Sequence, residues 1–184
     1  MRNALAVILF AVSAFAQDPS AIAAAEAACG SHDAEFNIKT DTSQHPVGQP
    51  DPGKGLVYVI LDQKFQAVRA VTARVGIDGT WVGANRGNSY LFFPTEPGEH
   101  HLCTDWISEL LPAGRLLSLA NFTAEAGRVY YFRVRTTGGP SSYMRHSDRS
   151  ASIDLEMING DEGKFLVASS AWSNSQPKHQ QASK

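Results

Sequence analysis

From Gly55 onward the apolar positions alternate between strand-like runs and turn signals. Leu56 to Leu61 is apolar at both parities, the pattern of a strand buried on two faces. Val71, Ala73, Val75 and Ile77 alternate with Thr72, Arg74 and Gly76, which predicts a half-buried strand. That strand enters Asp78-Gly79, a dipeptide suited to a tight primed turn because it tolerates positive φ. Tyr90 to Phe93 and His100 to Thr104 flank a second turn at Pro97-Gly98, so Gly76 to Cys103 reads as a meander of three short strands. Leu116 to Ala124 predicts a returning strand. In Val129 to Arg135, Tyr130, Phe132 and Val134 form an inward set, while Tyr131, Arg133 and Arg135 point outward. Gly138-Gly139-Pro140 closes that run. Ile153, Leu155 and Met157 alternate with Asp154 and Glu156 as a last strand. Residues 161–172 then predict a short amphipathic helix that packs Phe165 and Leu166 on the sheet, although Gly163 weakens it.

Upstream, Asp18-Pro19 and the alanine-rich Ser20 to Ala28 predict a short helix ended by Cys29-Gly30. Such a helix is marginal alone and must be held by something else. Phe36 to Thr40 alternates once, as an edge strand would. His45-Pro46 through Pro50-Asp51-Pro52-Gly53 resists helix and central strand alike, and reads as a connector wrapped over the surface.

About seven short strands with Gly, Pro or Asp-Gly punctuation predict a mainly β chain: an antiparallel β-sandwich, transthyretin- or immunoglobulin-like. A short N-terminal helical arm and a short C-terminal helix flank it. The expected organisation is a signal peptide at 1–16, an arm and proline-rich connector at 17–54, the sandwich at 55–172 and a polar, disordered tail at 173–184. A βα alternation is absent, which disfavours a parallel nucleotide-binding sheet.

The N-terminus changes the compartment. Arg2 precedes an apolar run from Ala4 to Phe15, and Ala14-Phe15-Ala16 offers small residues at −3 and −1 of a cleavage site. A spanning helix needs about 20 apolar residues, so a cleaved export signal ending at Ala16 is expected instead. The mature protein is then periplasmic or extracellular, without a membrane span. Export gives the two cysteines meaning: Cys29 and Cys103 are expected to pair. The bridge would close a loop of about 75 residues, worth roughly 4 kcal/mol on a chain-entropy argument.

Composition removes several classes. The 184 residues are 43% hydrophobic and 18% charged, with a formal net charge of −2. That balance lacks the basic footprint of a nucleic-acid binder. A metal site is not expected, because two distant cysteines lack ligand spacing and His100-His101 on a strand point to opposite faces. No Gly-x-Ser-x-Gly elbow or paired carboxylates stand out, and Asp105 approaches His101 only after a bend. No catalytic residue, cofactor or enzymatic activity is therefore expected. Asn121-Phe122-Thr123 matches a glycosylation acceptor but falls within a predicted strand.

The best binding candidates are Tyr143, Arg145, His146 and Arg149 in the polar loop 141–150, with Arg133 and Arg135 on the strand before it. Arginine forks suit carboxylates and phosphates, and loops at a sandwich edge often carry recognition. The competing expectation is that these arginines are paired with nearby Asp or Glu. Trp81, Tyr90, Trp106 and Tyr143 could add an aromatic surface for sugars or peptides, against which stands packing of Trp81 and Tyr90 in the sheet.

In order along the chain stand Gly53-Lys54-Gly55-Leu56-Val57-Tyr58-Val59, the turn Val75 to Gly79, Ser89-Tyr90-Leu91, Pro97-Gly98-Glu99-His100 and Ala124-Glu125-Ala126-Gly127-Arg128-Val129-Tyr130-Tyr131. Over roughly residues 54–172 this resembles the DUF2846 family of secreted or lipid-anchored bacterial envelope proteins. The resemblance implies a β-sandwich without known catalytic residues. The chain departs from lipid-anchored members in its alanine-type cleavage site. The functional expectation is a non-catalytic exported domain that binds an envelope protein or cell-wall component. The alternatives are a small-ligand or glycan binder through the 141–150 loop, or a hydrolase.

Overall fold

The computed structural model describes residues 19–31, 34–63, 71–107, 116–137 and 152–178. The expected signal peptide and the loop 141–150, with Tyr143, Arg145, His146 and Arg149, lie outside them. Helix α1 (Pro19–Cys29) is followed by strands β1 (Phe36–Asp41), β2 (Gly55–Leu61), β3 (Thr72–Ile77), β4 (Thr80–Arg86) and β5 (Ser89–Thr95). Then come β6 (Gly98–Ile107), β7 (Leu116–Ala124), β8 (Val129–Thr137), β9 (Ser152–Ile158), helix α2 (Gly160–Ala168) and β10 (Ala171–Pro177).

The strands form two facing sheets, a six-stranded one in the order β1-β10-β5-β2-β8-β9 and a four-stranded one in the order β4-β3-β6-β7. The β-sandwich is as expected, with one addition: the larger sheet is mixed. β2 runs parallel to β8 over Leu56↔Val129 to Leu61↔Val134, and β10 pairs parallel with β5 at its first two residues.

β2 sits in the middle because its sequence has no polar face to show water, and all seven residues are buried. Its inward set, Val57, Val59 and Leu61, joins Val75, Leu102, Phe122, Phe132 and Val134 in the core between the sheets. Phe122 meets Phe132 edge to face at 5.1 Å, a favoured aromatic geometry. The outward set, Leu56, Tyr58 and Ile60, joins Tyr90, Leu166 and Val167 in a second core on the far face.

That second core needs a roof, and two pieces supply it. The proline-rich connector crosses there: Tyr58 Oη accepts from Gly48 N–H at 2.7 Å, and Tyr90 Oη donates to Pro46 O at 2.9 Å. The other piece is α2, whose Asn159 cap accepts from the Asp161 and Glu162 amides. Gly163, which weakens the helix on propensity, is what allows it to dock. A Cβ there would stand 2.2 Å from the Tyr131 ring.

Several expectations are corrected. The stretch from Gly76 to Cys103 is not a meander. β3 and β4 form the hairpin through Asp78 (φ 49) and Gly79 (φ 78), but β5 leaves for the other sheet, where it pairs β2 along its length. Pro97-Gly98 is thus a corner between sheets, and beside β2 the β5 residues Ser89, Tyr90 and Leu91 are buried at both parities. The C-terminal helix ends at Ala168 rather than Trp172, since the chain must turn to enter another strand.

That strand, β10, occupies residues expected to be disordered tail, and it makes β9 not the last strand. Its polar residues are used. Ser173 Oγ donates to Ala84 O at 2.8 Å, and Ser175 Oγ accepts from Ala84 N–H at 3.1 Å. These hydroxyls tie β4 to β10 at one seam of the sandwich. Ser118 Oγ, accepting from Leu155 N–H at 3.1 Å, does the same for β7 and β9 at the other. β10 also pairs β1 from Phe36↔Pro177 to Asp41↔Trp172, so the edge strand read from the sequence exists and belongs to the sheet.

Gly163→Ala should lower stability by roughly 1–3 kcal/mol through forced overpacking. Phe165, expected to pack on the sheet, instead lies on the exposed side of α2, where Leu166 and Val167 make the contact; Phe165→Ala should stay within about 0.5 kcal/mol. Thermal denaturation of the two variants checks the contrast; equal effects would refute this account of α2.

Candidate functional site

Arg133 and Arg135 extend from β8 toward its partner β9, on the face that α2 roofs. The Arg133 guanidinium is 11% exposed and bonds both Glu156 and Glu162, with Nε to Glu156 Oε1 at 2.8 Å. Arg135 is half exposed, with Asp62 at 3.8 Å and Glu156 at 3.7 Å. The competing expectation of carboxylate pairing therefore describes both arginines. Arg133 is held by two carboxylates as a fastener between β8, β9 and α2. Arg135 keeps exposed guanidinium surface near the end of β8.

Three of the four aromatics do not gather. Tyr90 is fully buried under the connector, Trp106 lies in the core between the sheets, and Trp81 is on the outer face of the four-stranded sheet beneath the arm. Tyr143 lies outside the described residues. The alternation of strand faces separates them.

His100 and His101 diverge as a strand requires. His101 is exposed and contacts Asn121 Oδ1 at 2.7 Å. His100 is tucked against Phe122, with Nδ1 2.6 Å from Asp78 Oδ2 and Nε2 2.7 Å from Glu96 O and 3.2 Å from Thr95 Oγ1. A hydroxyl, an imidazole and a carboxylate in line resemble a nucleophilic triad. The Glu96 carbonyl argues otherwise, because a carbonyl can only accept. Nε2 must carry hydrogen to satisfy it, so that nitrogen is not free to take the proton of Thr95. With Asp78 requiring hydrogen on Nδ1, the site suits an imidazolium that donates on both sides.

Burial alone would lower the His100 pKa, but bonding to Asp78 and to the Glu96 carbonyl outweighs it and leaves the pKa raised. For Asp78, burial would raise the carboxyl; the His101 amide and the His100 ring overcome that and leave it lowered. Among the described residues no three His, Cys, Asp or Glu side chains gather as a metal site would require.

The arrangement that the sequence pattern misses is on the outer face of the four-stranded sheet. Arg74 and Asp105, across the β3–β6 pairing, form an ion pair, with Arg74 5% and Asp105 2% exposed. The guanidinium lies 4.6 Å from the Trp81 ring centroid, a cation–π distance, and donates to Ala34 O at 2.8 Å. Cys29 and Cys103 are joined, as expected, with their Cα atoms 5.6 Å apart. The bridge lays the end of α1 and the following residues over the pair. Asp105 therefore serves Arg74 rather than His101. Arg74 on a polar parity reads as solvent-exposed; only the cysteine spacing hints that a segment covers it.

Compared with known protein families, curated proteins and solved structures, the chain matches none. Among the described residues no helix is long and apolar enough to cross a membrane.

Removing one partner of the covered ion pair strands a buried charge. Asp105→Ala should cost roughly 3–5 kcal/mol, read by denaturant titration. The His100 pair sets a pH dependence of opposite sign to that of a carboxylate alone. Its folded pKa is raised, so its stabilisation is full below about pH 6.5 and is lost as pH rises through the higher folded value. Melting temperatures between pH 5.5 and 8.5 should fall more steeply for the natural chain than for His100→Gln. Parallel profiles would refute the doubly donating imidazolium.

Proposed function

We propose that the chain is a non-catalytic, exported β-sandwich domain that binds an envelope protein or cell-wall component. One observation carries this reading: the described clusters able to do chemistry have partners within the fold. Arg74 is taken by Asp105, Arg133 by Glu156 and Glu162, and His100 by Asp78 and the Glu96 carbonyl. Paired in this way, these groups fasten strands, helix and arm to one another, which suits a rigid scaffold for recognition. Export is supported by the apolar N-terminal run after Arg2 and by the disulfide. The resemblance to the DUF2846 family points to the same setting.

A second reading has its own observation. Arg135 is half exposed, loosely held by Asp62 and Glu156, and close in sequence to the Arg145–Arg149 stretch. A carboxylate-bearing ligand or glycan could be gripped there by arginine forks.

Photo-crosslinking of tagged domain in the native envelope should yield a discrete adduct that excess untagged domain competes away. Failure to obtain a competed adduct would overturn the proposal of a protein partner, and binding to isolated cell wall would then test the other component. Loss of the adduct in Arg145→Ala/Arg149→Ala would place recognition on the loop. Saturable binding of an acidic glycan, weakened in Arg135→Ala, would favour the second reading.

A further inference from the structure

Strand parity gives β10 two sides with different tasks. Ser173 and Ser175 turn to Ala84 at the seam with β4, so Trp172, Asn174 and Gln176 face the other way. Trp172 packs against the far-face core, which fixes that direction as outward. Residues opposite each other on paired strands share a face. The β1–β10 register therefore sets Asp41 beside Trp172, Lys39 beside Asn174, and Asn37 beside Gln176. One residue beyond the strands, Glu35 and Lys178 close the ladder as an ion pair at 3.0 Å. The connector covers Tyr58 and Tyr90, and α2 covers Tyr131. Outside both, Asn37, Lys39 and Gln176 are exposed, while Asp41, Trp172 and Asn174 are half-buried.

Arg74, Arg133 and His100 spend their polar groups inside the fold, but this ladder does not. Among the described residues nothing pairs with the Lys39 ammonium, the Asn37 amide or the Trp172 indole N–H. Gln176 Nε2 donates to Asn174 Oδ1 at 3.2 Å, which leaves Gln176 Oε1 and Asn174 Nδ2 for an outside partner. Asp41 is fixed at the head of the ladder, its Oδ1 accepting from the Ser43 and Gln44 amides.

The rows repeat every second residue, so the face from Asp41 to Glu35 is about 20 Å long. Its formal charges cancel, Lys39 and Lys178 against Asp41 and Glu35. That balance offers no field to attract a polyanion or a polycation. Side-chain amides donate and accept alike, as sugar hydroxyls do. An indole adds an apolar ring and a polar N–H, suited to the C–H face and the hydroxyls of one pyranose ring.

We propose that the outer side of the β1–β10 ribbon is a binding face for an uncharged, extended glycan, with one sugar ring on Trp172 and hydroxyls along the amide ladder. A β-linked chain of hexoses and one of N-acetylhexosamines present the same ring faces and hydroxyl edges. The ribbon lies at the opposite edge of the six-stranded sheet from β8 and β9, hence away from Arg135. It does not depend on the partner sought above.

Titration of the isotope-labelled full-length chain with cellohexaose and with chitohexaose tests the face. At least one should shift the Trp172 indole N–H resonance to saturation, that resonance being assigned by its loss in Trp172→Phe. Whichever sugar binds identifies the source. The exposed pair Asn37→Ala/Gln176→Ala should weaken binding several-fold with the melting temperature unchanged, while Arg135→Ala leaves binding intact. No saturable shift with either sugar would overturn the proposal, and a competed envelope adduct would still stand. Binding that ignores Asn37→Ala/Gln176→Ala, or that is lost in Arg135→Ala, would equally overturn it by placing the glycan elsewhere.

Discussion

The covered ion pair on the four-stranded sheet is the constraint around which that side of the molecule is built. A guanidinium and a carboxylate removed from water cost several kcal/mol each before their attraction is counted, so such a pair survives only with good geometry and further hydrogen bonds. Arg74 and Asp105 get both from elsewhere in the chain. Ala34 gives a carbonyl, Trp81 gives its ring face, and the Cys29–Cys103 bridge keeps the segment in place. Without the arm the pair would sit on an open sheet face, where it would contribute little. Without the pair and the bridge, an eleven-residue helix with several exposed alanines would have little reason to stay. Each half makes the other worth having.

The six-stranded sheet meets the opposite problem, too much apolar surface. β2 has no polar parity, so its outer face needs cover as much as its inner one does. Main-chain closeness provides it. Besides Gly163 on Tyr131, Gly48 lets the connector approach, where a Cβ would stand 2.7 Å from the Phe92 ring. Tyr58 and Tyr90 then turn their hydroxyls to the connector's backbone rather than to water. Burial pushes the Tyr90 phenol up to about 12, consistent with its role as a neutral donor to Pro46 O.

Much of this was legible from residue patterns, and what was not has identifiable reasons. Two-sided burial of β2, the inward and outward sets of β8 and the Asp78-Gly79 turn follow from parity and turn chemistry, which are local. The Cys29–Cys103 pairing follows from a count of two cysteines behind an expected export signal. The move of β5 to the other sheet is non-local: its apolar run suits either sheet, and pairing with β2 decides. β10 was illegible because Ser173, Asn174, Ser175 and Gln176 look solvated. Their seam with β4 appears only when Ala84 is brought opposite two hydroxyls. Arg74 misleads for a related reason, since a polar parity signals water only if no other segment covers it. As for the candidate site, Arg133 and Arg135 were located correctly on the outward set, while their carboxylate partners come from β9, α2 and the residue after β2, elements that sequence order does not place together.

The turn at Asp78-Gly79 joins the His100 contact to the arm. Asp78 Oδ1 accepts from the His101 amide and Oδ2 meets His100, so the carboxylate fixes the turn to β6. The next residue, Gly79, gives its amide to Ala28 and leaves room for Ala27 O. One two-residue turn thus carries both the histidine contact and the first hydrogen bond of the arm. The two halves of the turn have different chemistry. On the His100 side it is held by a charge that titrates, and on the arm side by a main-chain bond that does not. A loosening of His100 on deprotonation acts on a turn whose far side is fixed by Gly79 and, one strand away, by the Cys29–Cys103 bridge. With the bridge in place, the arm side of the turn keeps its main-chain anchor whatever the protonation state of His100.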